Sequence, residues 1–219
     1  MPQRNAVVVL KQLASLDFLS GGRIVTAVAA GWMEAEFRTL GADFERRGRR
    51  TNDWLELAAS LFAQMPGRVE HEGGLPVDDG WLAPALVRAG GPELWVAGVS
   101  RATIRRAART GVWHPVALPV DELGRMASEF RHLCPGGRVI LRLGAYFADE
   151  PKRLGRDERG RHAVIGPPEW IAEQLVEYVE EGCDGFVLNL GHETSGLEER
   201  VRRFAEEVRP LVEDAERTL

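Results

Sequence analysis

Several residues that could bind a phosphate group stand together directly after an apolar run. Gly98, Val99 and Ser100 end that run, and Thr103 follows Ser100 by one helical turn. A helix that begins at Ser100 would offer free backbone amides, and its two hydroxyl groups would face the same anion. With Arg101 adding charge, the pattern predicts a phosphate-binding turn. The alternative is that Ser100 only caps the helix and Thr103 is a surface side chain.

Small residues also follow an earlier apolar run, at Ala30, Gly31 and Trp32. Small side chains at the end of a strand leave room for a flat ring, and the Trp32 indole is large enough to form one wall of a pocket. The segment therefore predicts cofactor contacts at Ala30, Gly31 and Trp32. The alternative is that Trp32 packs beneath the next loop.

A histidine, His114, is the candidate catalytic residue. It lies between Trp113 and Pro115 at the end of a short apolar run, where an imidazole can hydrogen-bond a cofactor or a substrate. The alternative is a structural histidine. Asn189 ends another run and is expected either to contact substrate or to satisfy backbone groups.

The spacing of metal-binding residue types indicates no metal site. His71 and His192 are expected in loops. The cysteines Cys134 and Cys183 have neither a metal-binding nor a CxxC spacing, so we expect both to be reduced thiols in a cytoplasmic protein. The carboxylates that follow Trp32 and the arginines after Ser100 are expected to be solvated: Glu34, Glu36, Arg105, Arg106 and Arg109.

Apolar runs and helical periodicity define the elements that must position these residues. Five buried strands are predicted, over Arg23–Ala30, Glu93–Gly98, Val112–Val116, Arg138–Leu143 and Gly185–Leu190. The predicted helices are Asn5–Phe18, which Ser20, Gly21 and Gly22 stop, Glu34–Leu40 as a short helix or turn, Thr51–Met65 with Thr51 or Asn52 as its cap, Ser100–Thr110, Val120–Leu133, Pro168–Glu181 and Leu197–Thr218. Alternation of strands and helices indicates parallel βαβ units, hence one α/β domain over residues 1–219.

Two connecting segments have no clear periodicity. Pro66–Pro92 is rich in Gly, Pro and Asp, and its length predicts a substrate loop. Asp149–Ala163 is highly charged and is expected to be a mobile loop.

The two stretches Lys11–Trp32, KQLASLDFLSGGRIVTAVAAGW, and Glu93–Pro115, ELWVAGVSRATIRRAARTGVWHP, resemble the luciferase-like monooxygenases. These are flavin- and deazaflavin-dependent (β/α)8 barrels. The resemblance implies a TIM-barrel type of fold that is incomplete, because the five strands match the fourth to eighth strands of the family. Three explanations stay open: a fragment or mis-started product, a core closed by dimerisation or swapping, and a natural minimal variant.

The resemblance implies an oxidoreductase that acts on a small organic substrate, with the cofactor phosphate on Ser100 and Thr103. Val8 stands where luciferases carry an arginine for the flavin phosphate, which favours coenzyme F420 over the alternative, FMN. A non-catalytic cofactor-binding protein or a partner subunit derived from the same fold is the alternative function. Pairing into a homodimer, or with a homologous subunit, is expected.

The composition excludes some other classes of partner. The 219 residues carry a formal net charge of −5, which argues against nonspecific nucleic-acid binding. No apolar run approaches the length of about 20 residues that a membrane-spanning helix needs, and the N-terminus lacks the pattern of a signal peptide. The sequence thus predicts a cytoplasmic protein without a membrane partner.

Overall fold

The structure is a computed structural model that describes residues 1–152, 155–156 and 160–216. Contacts between Cα atoms divide the chain into two compact units, the first over Met1–Trp95 and the second beginning at Val96. Strand β4, Glu93–Ala97, crosses this boundary. The prediction of a single domain stays a prediction.

The first unit contains three helices and a short strand, followed by a hairpin. The helices are α1 (Ala6–Ser20), α2 (Glu34–Thr39) and α3 (Arg47–Gln64), and the strands are β1 (Val25–Val28), β2 (Gly67–His71) and β3 (Val77–Leu82). Asn5 caps α1, because its side chain accepts a hydrogen bond from the Val8 amide at 3.1 Å, and Gly21 ends it in the left-handed conformation. The predicted stop of this helix is confirmed.

Helix α3 begins one turn earlier than the sequence predicts. Thr51 does not cap it; the Thr51 hydroxyl lies inside the helix and donates to the Arg47 carbonyl at 2.8 Å. The helix starts at Arg47, which places the aromatic and aliphatic residues after Thr51 on its buried face. The Thr51 side chain bonds back to the preceding turn, as hydroxyl side chains in helix interiors commonly do.

The predicted loop over Pro66–Pro92 is partly wrong, since strands β2 and β3 form an antiparallel hairpin within it. Val69 and Leu82 are buried, while neighbouring residues of both strands are exposed. This alternation is typical of a hairpin with one face on a core. The pattern is short, and glycines at Gly67 and Gly80 conceal it in the sequence.

A fully buried carboxylate, Asp17, joins the end of α1 to the segment after the hairpin. Its Oδ2 atom accepts hydrogen bonds from the backbone amides of Val87 at 2.7 Å and Arg88 at 3.3 Å. The Arg88 guanidinium in turn donates to the Gly22 carbonyl at 2.9 Å. Buried carboxylates are stable only when hydrogen-bonded, so these contacts explain why a charged residue is tolerated here.

The second unit is built on parallel strands. Its strands after β4 are β5 (Val112–His114), β6 (Arg138–Phe147), β7 (Ala163–Gly166) and β8 (Gly185–Asn189). Its helices are α4 (Arg101–Ala107), α5 (Val120–Leu133), α6 (Pro168–Glu180), α7 (Leu197–Arg203) and α8 (Arg209–Glu216), the last two joined by a π-helical turn over Phe204–Val208. β4 pairs with β5, β5 with β6, and β6 with both β7 and β8, all in parallel.

Strand β6 is the centre of this unit and is longer than predicted. Gly144 pairs with Ala163 of β7 and with Asn189 of β8, so those two strands must lie on opposite sides of β6. The prediction of a loop over Asp149–Ala163 falls partly on residues 153–154 and 157–159, which lie outside the described residues. Within the described part, Lys152 pairs with Ile165 and Arg156 with His162.

All five predicted strands are present, as β1, β4, β5, β6 and β8. The prediction that every one of them is buried is wrong, because Val28 is the one buried residue of β1 and no residue of β8 is buried. β1, β4, β5 and β8 are each followed directly by a helix, and β6 is followed by β7 and then by α6, which confirms the predicted α/β alternation. Within the residues that the structure describes, no helix is both long enough and apolar enough to cross a membrane.

Candidate functional site

The turn after β4 places two hydroxyl groups side by side. Ser100 caps α4: its Oγ atom accepts a hydrogen bond from the Thr103 amide at 3.2 Å and lies 3.0 Å from Thr103 Oγ1. Thr103 is only 7% exposed, so it is not the surface threonine of the alternative interpretation. The first amides of a helix have no partner within it, so this turn presents both hydroxyl and amide donors.

Gly98 determines how closely this turn can pack. Its φ is +134°, and a Cβ atom at this position would lie 2.9 Å from Thr103 Oγ1. The Gly98 carbonyl accepts from the Trp113 indole at 2.8 Å, and its amide donates to the His114 carbonyl at 3.2 Å. Strand β5 thus holds the turn through both backbone groups of Gly98, and only a glycine fits there without strain.

This arrangement fits the phosphate end of a cofactor. The hydroxyls of Ser100 and Thr103 and the start of α4 all offer hydrogen-bond donors to an anion. Arg101 is exposed and lies 3.8 Å from the Glu129 carboxylate, so its charge is partly neutralised. The turn itself, rather than Arg101, would supply the contacts.

His114 is 5% exposed, and its Nδ1 atom lies 2.5 Å from the Ile140 carbonyl of β6. Since a carbonyl can only accept, Nδ1 carries the proton in this contact. Burial lowers the pKa of His114, the hydrogen bond to Ile140 opposes that shift, and the Arg142 charge adds to it. A neutral imidazole that is hydrogen-bonded to the neighbouring strand fits the alternative prediction of a structural histidine. A catalytic role for His114 stays a prediction.

The other predicted cofactor segment, Ala30–Trp32, lies in the first unit after β1. Gly31 has a φ of +89°, and a Cβ atom there would lie 2.7 Å from the Phe37 ring. The small residue at Gly31 is therefore required by Phe37. Trp32 is 81% exposed, so it does not pack beneath the next loop. Its contact with a cofactor, like that of Ala30 and Gly31, stays a prediction.

A shallow cleft opens in the second unit, at the carboxyl ends of β5 and β8 and beside the middle of β6. Its lining residues are Val116, Ala117, Arg142, Leu143, Gly144, Arg161, His162 and Asn189. Ligands of parallel α/β folds bind at this end of the strands. Apart from Asn189, the sequence analysis did not single out these polar residues. The available signal was Arg142, a charged residue within the apolar run of β6.

Asn189 satisfies a backbone group, which is one of its two predicted roles, and it also lines the cleft. Its Oδ1 atom accepts from the Gly191 amide at 3.0 Å, and its Nδ2 atom lies 3.4 Å from the His192 ring. His162 has a pKa lowered by burial and by Arg156, with Asp121 opposing the shift. His162 is therefore a neutral lining group at neutral pH.

Two carboxylates that follow Trp32 lie in the first turn of α2. Glu34 and Glu36 are exposed, as predicted, and Glu36 accepts from the Gln3 side chain at 2.8 Å. Among the described residues, no group of three or more His, Cys, Asp or Glu side chains is placed to hold a metal ion.

The family model for luciferase-like monooxygenases matches residues 1–138. An FMNH2-dependent dimethylsulfone monooxygenase of Pseudomonas putida is 31% identical over an alignment of 260 positions, covering 94% of this chain and 70% of that protein. A protein of the same description from Pseudomonas fluorescens is 26% identical over 94% of this chain and 70% of its own length. The chain belongs to the luciferase-like monooxygenase family.

Solved structures agree on the fold. A monooxygenase from Streptomyces bottropensis superposes with a TM-score of 0.77 at 17% identity, covering 95% of this chain and 75% of that one. An F420-dependent secondary alcohol dehydrogenase gives 0.73 at 15% identity, covering 95% and 75%. The predicted luciferase-like fold and the family-level prediction of a flavin- or deazaflavin-dependent oxidoreductase are confirmed.

Proposed function

We propose that this protein is a monooxygenase that uses reduced FMN to oxidise a small organic substrate. The observation that carries the proposal is the hydroxyl pair of Ser100 and Thr103, held at the start of α4 against Gly98. The similarity to FMNH2-dependent relatives over 94% of the chain supports the choice of cofactor.

In this proposal, Gly98, Val99, Ser100 and Thr103 bind the cofactor phosphate. Reduced flavin would supply the two electrons with which one oxygen atom of O2 enters the substrate and the other becomes water. His114 acts as a positioning residue, because its backbone bonds the Gly98 turn and its ring bonds β6. The strand-end cleft lined by Arg142 and Asn189 receives the substrate.

Coenzyme F420 is the second candidate cofactor, and Val8 is the observation that favours it. Its side chain is 53% exposed on α1 and carries no charge for a flavin phosphate. In this alternative the protein transfers a hydride to or from its substrate, and the deazaflavin phosphate takes the place proposed for that of FMN.

Pairing with a second copy or a homologous subunit also belongs to the proposal. The apolar side chains of Leu16, Phe18 and Leu19 on α1 are 50%, 56% and 77% exposed, which supports association through this helix. The mass of the protein in solution tests this point. A cytoplasmic location stays a prediction.

Anaerobic titration with reduced FMN and with reduced F420, followed by addition of O2 and dimethyl sulfone, tests the function. We expect binding of FMN and consumption of the sulfone, followed by NMR. If F420 binds and FMN does not, F420 takes the place of FMN in the proposal. Binding of a cofactor without turnover would favour a non-catalytic role. Failure of both cofactors to bind would overturn the proposal.

A further inference from the structure

Two helices of the second unit carry exposed stripes of opposite charge. The arginine stripe lies on α4 and the turn that follows it, with one residue in every four: Arg101, Arg105 and Arg109. The glutamate stripe lies on α6 at the same spacing: Glu169, Glu173 and Glu177. All of these residues are exposed. Because residues four apart share one face of a helix, each stripe presents a row of like charges.

Neither stripe stabilises the helix that carries it. Residues four apart are neighbours on a helix surface, and like charges at this spacing repel each other. Burial lowers the pKa of the Arg106 guanidinium, and the charges of Arg105 and Arg109 lower it further, so these three groups lie close together. The stripes therefore concentrate charge that their own helices do not neutralise.

The C-terminal helices of the same unit have the opposite arrangement. Arg202 pairs with Glu198 of α7 at 3.0 Å, and Arg209 pairs with Glu213 of α8 at 2.6 Å. The partners are four residues apart in both pairs, which is the spacing at which opposite charges support a helix. Charges on α7 and α8 are thus neutralised within the chain, unlike those of the two stripes.

The rest of the unit does not supply the missing partners. Among the described residues, Arg105, Arg109 and Glu173 form no ion pair. Arg101 has one distant partner, the Glu129 carboxylate of α5 at 3.8 Å. Helix α5 packs against both α4 and α6, so it stands between the two stripes of one copy. The charges of both stripes are therefore free to meet a partner of opposite charge.

We propose that the arginine stripe of one copy binds the glutamate stripe of a second copy. The common spacing of four residues lets α4 of one copy lie along α6 of the other, with guanidinium groups opposite carboxylates. Since every copy carries both stripes, a twofold axis allows two such contacts in one dimer. This contact uses other residues than the pairing through α1, and it does not rest on the proposed oxidoreductase function.

Sedimentation velocity at low and high salt tests whether charge drives the association. The Debye length falls from about 30 Å at about 0.01 M salt to about 3 Å at about 1 M. The dimer dissociation constant should therefore rise by about tenfold or more over this range. Association through the apolar side chains of α1 would not weaken with salt. A protein that stays monomeric at low salt, or whose association does not weaken as salt is added, would overturn the inference.

Charge reversal tests which residues form the contact. Arg105→Glu and Glu173→Arg should each weaken self-association at low salt by about tenfold, because each replaces attraction with repulsion in both contacts of the dimer. Arg49→Glu is the matched control, since it makes the same charge change at an exposed position of α3 in the first unit. It should leave the dissociation constant unchanged.

A mixture of the two variants separates direct contact from loss of folding. In the mixed dimer, the reversed charge on α4 of one copy faces the reversed charge on α6 of the other, so attraction returns. The mixture, and the double variant Arg105→Glu/Glu173→Arg by itself, should associate nearly as tightly as the unsubstituted protein. Full self-association of both single variants, or a mixture that associates as weakly as its components, would overturn the inference.

Discussion

Two strand ends of this chain carry small residues, yet the structure builds them differently. After β4, the Gly98 turn is hydrogen-bonded to both Trp113 and His114 of the adjacent strand. After β1, Gly31 lies against the Phe37 ring, and Trp32 is exposed. A turn whose backbone is fixed before a ligand arrives binds it at a lower entropic cost. Ligand affinity should therefore depend more on the β4 end than on the β1 end.

The largest expected effect on stability is in the first unit, at Asp17. Asp17→Ala would leave the buried amides of Val87 and Arg88 without their acceptor and should lower the free energy of unfolding by about 2–4 kcal/mol. Urea denaturation measures the loss. Asp17→Asn, which retains one acceptor oxygen, should lose less. FMN affinity, measured where the variant is folded, should stay unchanged; a loss of more than about tenfold would show that the β4 turn is not the main site.

Gly98→Ala and Gly31→Ala compare the two strand ends directly. Both residues have positive φ, and the added Cβ would approach Thr103 Oγ1 at 2.9 Å or the Phe37 ring at 2.7 Å. Each variant should lose about 1–3 kcal/mol of stability. Only Gly98→Ala should also lose about tenfold in FMN affinity, because it displaces the Thr103 hydroxyl that we propose as a phosphate ligand. The opposite ranking in an FMN titration would contradict the comparison.

The buried histidine at the β4 end makes stability depend on pH. Because burial lowers the pKa of His114 below its usual value of 6.5, the unfolded chain takes up a proton that the folded chain resists. Stability should therefore fall as pH drops through 6.5, by at most about 1.4 kcal/mol per pH unit from this group. His114→Gln should flatten the profile of unfolding free energy against pH.

The control for this profile is the exposed His132, whose substitution by Gln should leave the slope as it is in the unsubstituted protein. His162 has a lowered pKa for the same main reason, so His114→Gln should remove only part of the slope. An unchanged slope in His114→Gln would show that this imidazole is not held neutral by its burial.

The smallest expected effect is at Trp32. Because its side chain is 81% exposed, Trp32→Ala should change the free energy of unfolding by less than about 0.5 kcal/mol. Trp81→Ala is a matched control, since Trp81 is 76% exposed on the β2–β3 hairpin. FMN fluorescence titrations of both variants should agree within about threefold. A much larger loss for Trp32→Ala would instead support its predicted contact with the cofactor ring.

Local sequence patterns predict the helices and strands whose formation depends on neighbouring residues in the chain. The five strands and the Gly21 stop of α1 follow from apolar runs and from a glycine that tolerates positive φ. The sequence predicts the end of β6 too early because Gly144 resembles a strand break, whereas a glycine is needed there: a Cβ atom at Gly144 would lie 2.8 Å from the Tyr146 ring. The hairpin was missed because its alternation is brief and interrupted by glycine.

The candidate site could be predicted only in part. The Ser100–Thr103 pair is one helical turn apart, so its geometry follows from sequence spacing. The partner of His114 is the Ile140 carbonyl, 26 residues away, and no local pattern reveals such a contact. The cleft likewise combines the ends of β5 and β8 with the middle of β6. Arg142 within an apolar run was its one visible signal in the sequence.

The central claim is that the Ser100–Thr103 turn binds the cofactor phosphate, and parallel titrations with FMN and riboflavin test it most directly. The account predicts that Ser100→Ala/Thr103→Ala weakens FMN binding by about a hundredfold, because two hydrogen bonds to the charged phosphate are lost. Riboflavin has no phosphate, so its binding should be unchanged. Thr110→Ala, which removes a hydroxyl beyond the other end of α4, should behave like the unsubstituted protein. Full FMN affinity in the double variant, or an equal loss for riboflavin, would contradict the claim.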